Sequence, residues 1–322
     1  MPVVYLVIPC YNEEKVLPET VKRLTAKLES MQACGLASDG SRILFVDDGS
    51  RDSTWSMISQ FSKENSLVSG IKLAHNRGHQ NALLAGLMTA RQYADCAISL
   101  DADLQDDVEV LDEFVKKFMD GCDVVYGVRK KRDTDTAFKR STALAFYSFM
   151  EMLGVDIVYN HADYRLMSRR ALDALSDYRE VNLFLRGLVP LIGFRSDCVY
   201  YDRHERFAGE SKYPLKKMVS FAVDGITSFS IKPLKLIFSL GAGISFVSLI
   251  GFIWAIISHF AAGTAAWIVG LWSLWLLGGL LMAALGVVGT YAGKIYGEVK
   301  SRPRFLIEQT TSDSLKGSVD RK

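Results

Sequence analysis

The sequence predicts an α/β protein: a mostly parallel sheet wound with helices, followed by a C-terminal hairpin of two long apolar helices. Three observations lead there. Through residues 1–232, short apolar runs alternate with segments whose apolar residues recur at helical spacing. Polar residues gather where the apolar runs end, as they do along the carboxyl edge of a parallel sheet. From Leu236 to Gly293 there is no Asp, Glu, Lys or Arg. The 322 residues allow one large domain or two smaller ones, and the net charge of +2 says little because charge is segregated along the chain.

Val3–Ile8 reads as a buried strand ending in Pro9-Cys10-Tyr11-Asn12-Glu13-Glu14. Val16, Leu17, Val21, Leu24 and Leu28 then mark a helix. Ile43–Val46 is the second strand and closes in Asp47-Asp48-Gly49-Ser50, after which Asp52 or Ser53 caps a helix to about Lys63. Val68–Leu73 is the third strand, followed by His75-Asn76-Arg77-Gly78-His79-Gln80 and an Ala- and Leu-rich helix. Cys96–Leu100 is the fourth and runs into Asp101-Ala102-Asp103-Leu104-Gln105-Asp106-Asp107. An amphipathic helix over Val108–Met119 and a fifth strand at Asp123–Tyr126 follow, then the basic run Arg129-Lys130-Lys131-Arg132.

Beyond it the spacing predicts a helix at Ala137–Leu153, a helix from about Arg169, and a strand at Val199–Tyr201. Asn182–Phe194 is apolar but broken by Arg186, Gly187, Pro190 and Gly193, and is too interrupted to span a bilayer. Pro214 starts an amphipathic helix with a basic beginning, suited to an anionic leaflet. The five cysteines include no C-x-x-C pair, and several lie in apolar runs, which favours reduced thiols over a disulfide framework. Val3–Ile8 is too short and lacks a basic leader, so no signal peptide is expected.

Roughly 20 helical residues cross a hydrocarbon core of about 30 Å. Leu236–Phe260 and Ala265–Ala292 are each long enough, with Ala261-Ala262-Gly263-Thr264 as the turn. Lys232 and Lys235 before the pair, and Lys294, Lys300, Arg302 and Arg304 after it, place both ends on the cytoplasmic side. The expected organisation is a cytosolic α/β domain at 1–212, an amphipathic juxtamembrane helix at 213–232, two crossings within 233–293, and a polar cytosolic tail at 294–322 that is disordered after Ser301. Glycines along both apolar segments allow close helix contact and hence a homo-oligomer.

Four strand ends deliver Tyr11 and Glu13, Asp47 and Asp48, Arg77 and Gly78, and Asp101 and Asp103 to one rim. Asp101 and Asp103 sit two residues apart, so an extended chain points both to one side, where a hard divalent cation would relieve their repulsion. Read alone, an Asp-x-Asp pair is better taken as an acidic turn after a strand. Asp106 and Asp107 read as helix-start residues rather than ligands. Neither G-x-G-x-x-G nor G-x-x-x-x-G-K-[ST] occurs, which excludes a dinucleotide fingerprint and a P-loop.

Pro9-Cys10-Tyr11-Asn12-Glu13-Glu14, Asp47-Asp48-Gly49-Ser50, Asn76-Arg77-Gly78 and Asp101-Ala102-Asp103-Leu104-Gln105 resemble the successive motifs of family 2 glycosyltransferases with a GT-A fold. Asp163-Tyr164-Arg165-Leu166-Met167, Arg206, Gly209-Glu210-Ser211-Lys212-Tyr213 and the two-helix anchor narrow this to a likeness with polyprenyl-phosphate glycosyltransferases. The bacterial bactoprenol glucosyltransferases are the nearer branch and the dolichyl-phosphate mannose synthases the more distant one. The resemblance implies that Pro9, Tyr11, Glu13, Asp47, Asp48, Gly78, Asp101 and Ala102 hold the nucleotide-sugar, with Asp48 at the uracil edge. It implies Mg²⁺ or Mn²⁺ at Asp101, Asp103 and Gln105, Asp163 as catalytic base or orienting group, and Arg129, Arg165, Arg206 and Lys212 around an acceptor phosphate.

The implied reaction is inverting transfer of a single hexose, glucose foremost, from a UDP-sugar to undecaprenyl or another polyprenyl phosphate. It would occur at the cytoplasmic leaflet of a bacterial plasma membrane, with no nucleic-acid partner. No Gln-x-x-Arg-Trp follows Asp163, so the chain departs from the processive membrane synthases. Two alternatives stay open on the residues alone: a glycolipid synthase with a diacylglycerol acceptor, and a non-catalytic nucleotide-sugar-binding protein tethered to the membrane.

Overall fold

The computed structural model describes residues 1–130, 161–180, 183–202, 267–300 and 302–311, together with Ile250, Trp254 and Ile257. The chain divides into two units, one of Met1–Tyr147, Asp156–Tyr213 and Arg302–Lys322, the other of Ser148–Val155 and Pro214–Ser301.

The first unit is built on an eight-stranded mixed sheet. Its first half alternates β1 (Val4–Cys10), α1 (Leu17–Ala33), β2 (Arg42–Asp47), α2 (Thr54–Glu64), β3 (Val68–Leu73), α3 (His79–Ala90) and β4 (Cys96–Ser99). A 3₁₀ turn at Val108–Val110 leads into α4 (Leu111–Met119), then β5 (Val124–Arg129), β6 (His161–Ser168), α5 (Arg169–Asp177), α6 (Leu185–Leu191) and β7 (Ser196–Tyr201). The strand order is β7-β5-β6-β4-β1-β2-β3-β8, where β8 is Ile307–Thr310. Strands β1 to β4 pair in parallel, as does β5 with β7, whereas β6 runs antiparallel between β4 and β5.

Every residue of β1 is buried, as a central strand covered on both faces requires. Leu17, Val21, Leu24, Leu28 and Met31 form the buried stripe of α1 and join the strand side chains in one core. Each such Leu or Val contributes roughly 1.5–3 kcal/mol when removed from water. Helix α3 lies close on the sheet because Gly86 has no side chain. A Cβ there would stand 2.4 Å from Val7 and 2.7 Å from Val46. Cys10, Cys96 and Cys122, in or beside strands β1, β4 and β5, are buried, Cys198 of β7 is half-buried, and all five thiols are free.

The sequence reading needs three corrections here. The fifth strand continues past Tyr126 to Arg129, so the basic run begins on the sheet. His161–Ser168 is a strand, although its alternating Asp163 and Arg165 mask the apolar signal of Tyr164, Leu166 and Met167. The tail expected to be disordered returns to the sheet: β8 pairs antiparallel with β3. Trp55 Nε1 donates to Gln309 Oε1 at 2.8 Å, and the Gly70 amide donates to Thr311 Oγ1 at 2.8 Å. Backbone pairing closes an otherwise open sheet edge there, which needs little apolar patterning in the added strand.

In the second unit α7 (Trp267–Val299) covers most of the second expected crossing at 265–292. Its described apolar side chains Leu274, Leu281, Leu285, Val288 and Ile295 are exposed, as are Ile250, Trp254 and Ile257. Among the described residues no helix is long and apolar enough to cross a membrane. The first expected crossing, 236–260, lies outside the described residues apart from those three positions. The same holds for the juxtamembrane helix and for the helix expected at Ala137–Leu153.

Candidate active site

Because β1 to β4 are parallel, their carboxyl ends share one edge. Strand β6 enters that edge from the opposite direction. Its register with β4 pairs Cys96 with Ser168 and Ser99 with Arg165, so Asp101 beyond the end of β4 and Asp163 of β6 come to the same place, each 3.7 Å from His79 Nε2. Ser99 Oγ donates to the Asp163 carbonyl at 2.5 Å and fixes this approach.

Asp163 is the most heavily engaged carboxylate of the rim. Its Oδ1 accepts from Arg165 Nη2 at 2.7 Å and from Arg186 Nε at 3.2 Å. Its Oδ2 accepts from Arg186 Nη2 at 3.0 Å and from Gln80 Nε2 at 3.3 Å. Burial pushes the carboxyl up, but Arg186 and Arg165, helped by His79, outweigh that and hold it well below the usual carboxylate range. His79 Nε2 stands 3.7 Å from both Asp163 and Asp101.

The two arginines differ. Arg165 is only 1 % exposed and also donates to the Leu185 carbonyl at 3.2 Å. Arg186 lies in the first turn of α6 and is 33 % exposed. That turn is held by Gln80, whose Oε1 accepts from the Leu185 amide at 3.0 Å. Arg165, expected at an acceptor phosphate, is therefore corrected to an internal counter-ion, because its charge is enclosed by Asp163 and the α6 backbone.

Asp101 is 39 % exposed. Its carboxyl is pushed up first by the crowding around it, then by the charges of Asp163 and Asp103, against the pull of His79 and Arg186. Asp103 Oδ1 accepts from the Gln105 amide at 3.2 Å, which curls the loop, and Leu104 takes a left-handed φ of 56°. Ala102 is buried, and its carbonyl accepts from Thr20 Oγ1 at 2.9 Å, so α1 anchors the acidic loop from behind. Among the described residues no group of three or more His, Cys, Asp or Glu side chains is arranged to hold a metal ion. With Asp103 and Asp163 beside it and only His79 and Arg186 opposing them, Asp101 suits a divalent cation that brings phosphate oxygens as its other ligands, since Mg²⁺ takes only one or two carboxylates in such sites.

The other strand ends build the walls. Pro9 lies in β1 opposite Val46, and Tyr11 is exposed just beyond it. Glu13 opens α1: its amide donates to Thr54 Oγ1 at 2.9 Å and its carbonyl accepts from Val16 and Leu17. Asp47 is fully buried, accepts from the Ser50 amide at 3.3 Å through Oδ2, and leaves Oδ1 without a partner. Asp48, expected at the uracil edge, is buried, and its two oxygens accept from the Arg77 amide at 2.7 Å and the Gly78 amide at 2.9 Å. It thereby fixes the loop after β3. Gly78 has φ 85° and ψ 157°, a region open essentially to glycine, and nothing lies within 4 Å of where its Cβ would be. The backbone there is open to a close-approaching ligand.

The residues Asp106 and Asp107 part company. Asp107 caps the 3₁₀ turn by accepting from the Glu109 amide at 2.9 Å, as its sequence position suggests. Asp106 is buried instead: Tyr201 of β7 donates to its Oδ1 at 2.5 Å, and Arg129 stands 3.7 Å away. Burial, with the Asp101 charge adding, pushes its carboxyl up to about 6. Arg129 thus meets Asp106 and Tyr201 at the end of β5. Arg206 and Lys212 lie outside the described residues. Sequence reasoning passed over His79, Gln80 and Arg186, and took Asp106 for a helix-start residue. For Arg186 a signal existed: it is the single charge in the apolar stretch Asn182–Phe194.

The family model for "Glycosyl transferase family 2" matches residues 5–176. A protein of Bacillus subtilis (strain 168) described as the uncharacterized glycosyltransferase YkoT is 51% identical over 311 residues, covering 95% of this chain and 91% of the relative. The SfII prophage-derived bactoprenol glucosyl transferase of Shigella flexneri is 36% identical over 308 residues, covering 95% and 97%. The prophage bactoprenol glucosyl transferase homolog of Escherichia coli (strain K12) is 36% identical over 307 residues, covering 94% and 98%.

Proposed function

The chain belongs to glycosyl transferase family 2, and on that premise we propose that it transfers one hexose, glucose foremost, from a UDP-sugar to a polyprenyl phosphate at the cytoplasmic leaflet. The reading draws its acceptor from relatives named as bactoprenol glucosyl transferases, which match this chain along nearly its whole length.

The observation that carries it is the state of Asp163. Arg186 forks onto this carboxylate, Arg165 donates a further bond to it, and together they hold its proton affinity low. A hydroxyl acceptor such as diacylglycerol needs a base to remove its proton, and a carboxylate held this far down is a poor one. A lipid phosphate has a second ionisation near 6 and arrives largely ionised at neutral pH. The rim therefore suits an anionic nucleophile better than an alcohol. In-line attack by that oxygen at the anomeric carbon, opposite the departing nucleoside diphosphate, inverts configuration.

The donor half rests on Asp101, Asp103 and Gln105 as ligands of Mg²⁺ or Mn²⁺, which when bound neutralises charge on the leaving diphosphate. Asp47, the loop held by Asp48, and the open backbone at Gly78 form the nucleotide side. The exposed apolar side chains along α7 fit a lipid environment.

The test incubates the purified full chain in detergent with labelled UDP-glucose, Mn²⁺ and undecaprenyl phosphate or diacylglycerol. Label should enter the organic phase only with the phosphate, and EDTA or Asp103→Ala should abolish it. Equal labelling of diacylglycerol would refute the acceptor.

A further inference from the structure

We propose that His79 reads one hydroxyl of the transferred hexose and so helps to set which sugar the site accepts. The inference rests on the hexose-transfer reading above. It starts from one imidazole placed between two carboxylates that come from different halves of the rim.

His79 Nε2 stands 3.7 Å from Asp101 Oδ1, just past the end of β4, and 3.7 Å from Asp163 Oδ2 on β6. In a direct displacement the anomeric carbon lies between the departing diphosphate and the attacking oxygen. With the diphosphate held at the cation proposed for Asp101, the hexose bonded to it begins beside that carboxylate. His79 is the neighbour of Asp101 on the way to Asp163, which places its ring against the sugar rather than against the base or ribose.

The two carboxylates flanking it are committed. Asp163 accepts from Arg165 and Arg186 at Oδ1 and from Arg186 and Gln80 at Oδ2. A carboxylate offers about four lone-pair sites, and these four donors fill them. Asp101 is the proposed metal ligand. His79 differs from both: among the described residues neither ring nitrogen has a hydrogen-bond partner, because the two carboxylates stand beyond bonding distance, and 35 % of the side chain is exposed. An imidazole can donate from Nε2 whether neutral or charged, so the contact needs no titration. Its position is also fixed by a rigid element. His79 is the first residue of α3, entered through Gly78, and Gly86 seats that helix directly on Val7 and Val46. A polar group held this way rejects a donor that lacks its hydroxyl, because the ring is then left unpaired.

The test uses the full chain in detergent with undecaprenyl phosphate, comparing wild type, His79→Ala and His79→Gln. The donors are UDP-glucose and a panel of UDP-deoxyglucoses, each lacking one sugar hydroxyl. Two quantities are read: kcat/KM for each donor, and the dissociation constant of UDP alone by direct titration. In wild type one deoxy donor should fall below UDP-glucose by roughly 10- to 100-fold, and His79→Ala should lose a similar factor with UDP-glucose itself. In His79→Ala that same deoxy donor should come within about threefold of UDP-glucose, because the pair is already broken, while the other donors keep their wild-type ratios. His79→Gln, whose amide also donates, should recover part of the loss. UDP alone should bind all three proteins within about threefold. A wild type indifferent to every missing hydroxyl, ratios that are the same in wild type and His79→Ala, or UDP binding lost along with turnover overturns the His79 assignment while the wild-type reaction stands. A wild type that binds UDP but transfers no hexose to lipid phosphate overturns the functional reading and this inference with it.

Discussion

Replacing Asp163 by Asn separates a holder from a base. The substitution keeps the size of the side chain and removes its charge. Arg165 is then left inside the protein with a neutral partner, its guanidinium 1 % exposed and formerly 2.7 Å from the carboxylate. Removing one partner of a buried pair costs about 3–5 kcal/mol, whereas the more exposed Arg186 adds at most about 1 kcal/mol. For a body of this size each kcal/mol moves the melting temperature by about 2–4 °C, so Asp163→Asn should melt about 6–24 °C below wild type. The assay is a thermal melt of the full chain at pH 7.5, repeated toward acid. Because the folded carboxyl is held below its unfolded value near 4, its contribution is complete above that pH and fades as pH falls. The gap between variant and wild type should therefore narrow below about pH 4. A variant that melts with wild type yet turns over no sugar would refute this reasoning and restore Asp163 as a base.

Three other perturbations reach other parts of the structure. Gly78→Val should cost about 1–3 kcal/mol in strain alone, since φ is 85° and the Cβ site is empty; a denaturant midpoint equal to wild type would contradict this. Ending the chain at Ser301 should lower the melting temperature and promote self-association, because the edge of β3 loses its cover; a monodisperse, equally stable truncation would show that β8 is dispensable. Asp106 has a folded value of about 6, above its unfolded value near 3.9, so its folded form binds more protons between these values and stability falls as pH rises through about 4 to 6. In chelator-treated buffer Asp106→Asn should flatten that slope and gain on the order of 3 kcal/mol at pH 7, and identical pH profiles for the two proteins would contradict the buried-charge account.

Much of the rim was legible in the sequence because parallel sheets place polar strand ends together, so β1 to β4 could be read from four apolar runs and their endings. The site's second wall was less legible. Asp163 was visible by resemblance, but its partnership with Asp101 depends on β6 running antiparallel, and a strand whose alternate residues are Asp163 and Arg165 has no plain apolar pattern. Arg186 was hidden for a related reason: it comes from a short helix whose position is set by side-chain bonds from Gln80 and Arg165, which no local spacing encodes. Strand β8 carries one apolar residue among Ile307–Thr310 and owes its place to backbone pairing. Asp106 and Asp107 are neighbours of the same type, and only the distant Tyr201 distinguishes the buried one from the cap.

The most direct test of the central claim is the mass of the lipid product formed from UDP-glucose and undecaprenyl phosphate by the full chain. The account predicts the acceptor mass plus one hexosyl unit, attached at the phosphate and in the β configuration when the donor is α-linked. A product with several hexoses, retained α configuration, or sugar carried on a glycerolipid hydroxyl would contradict it.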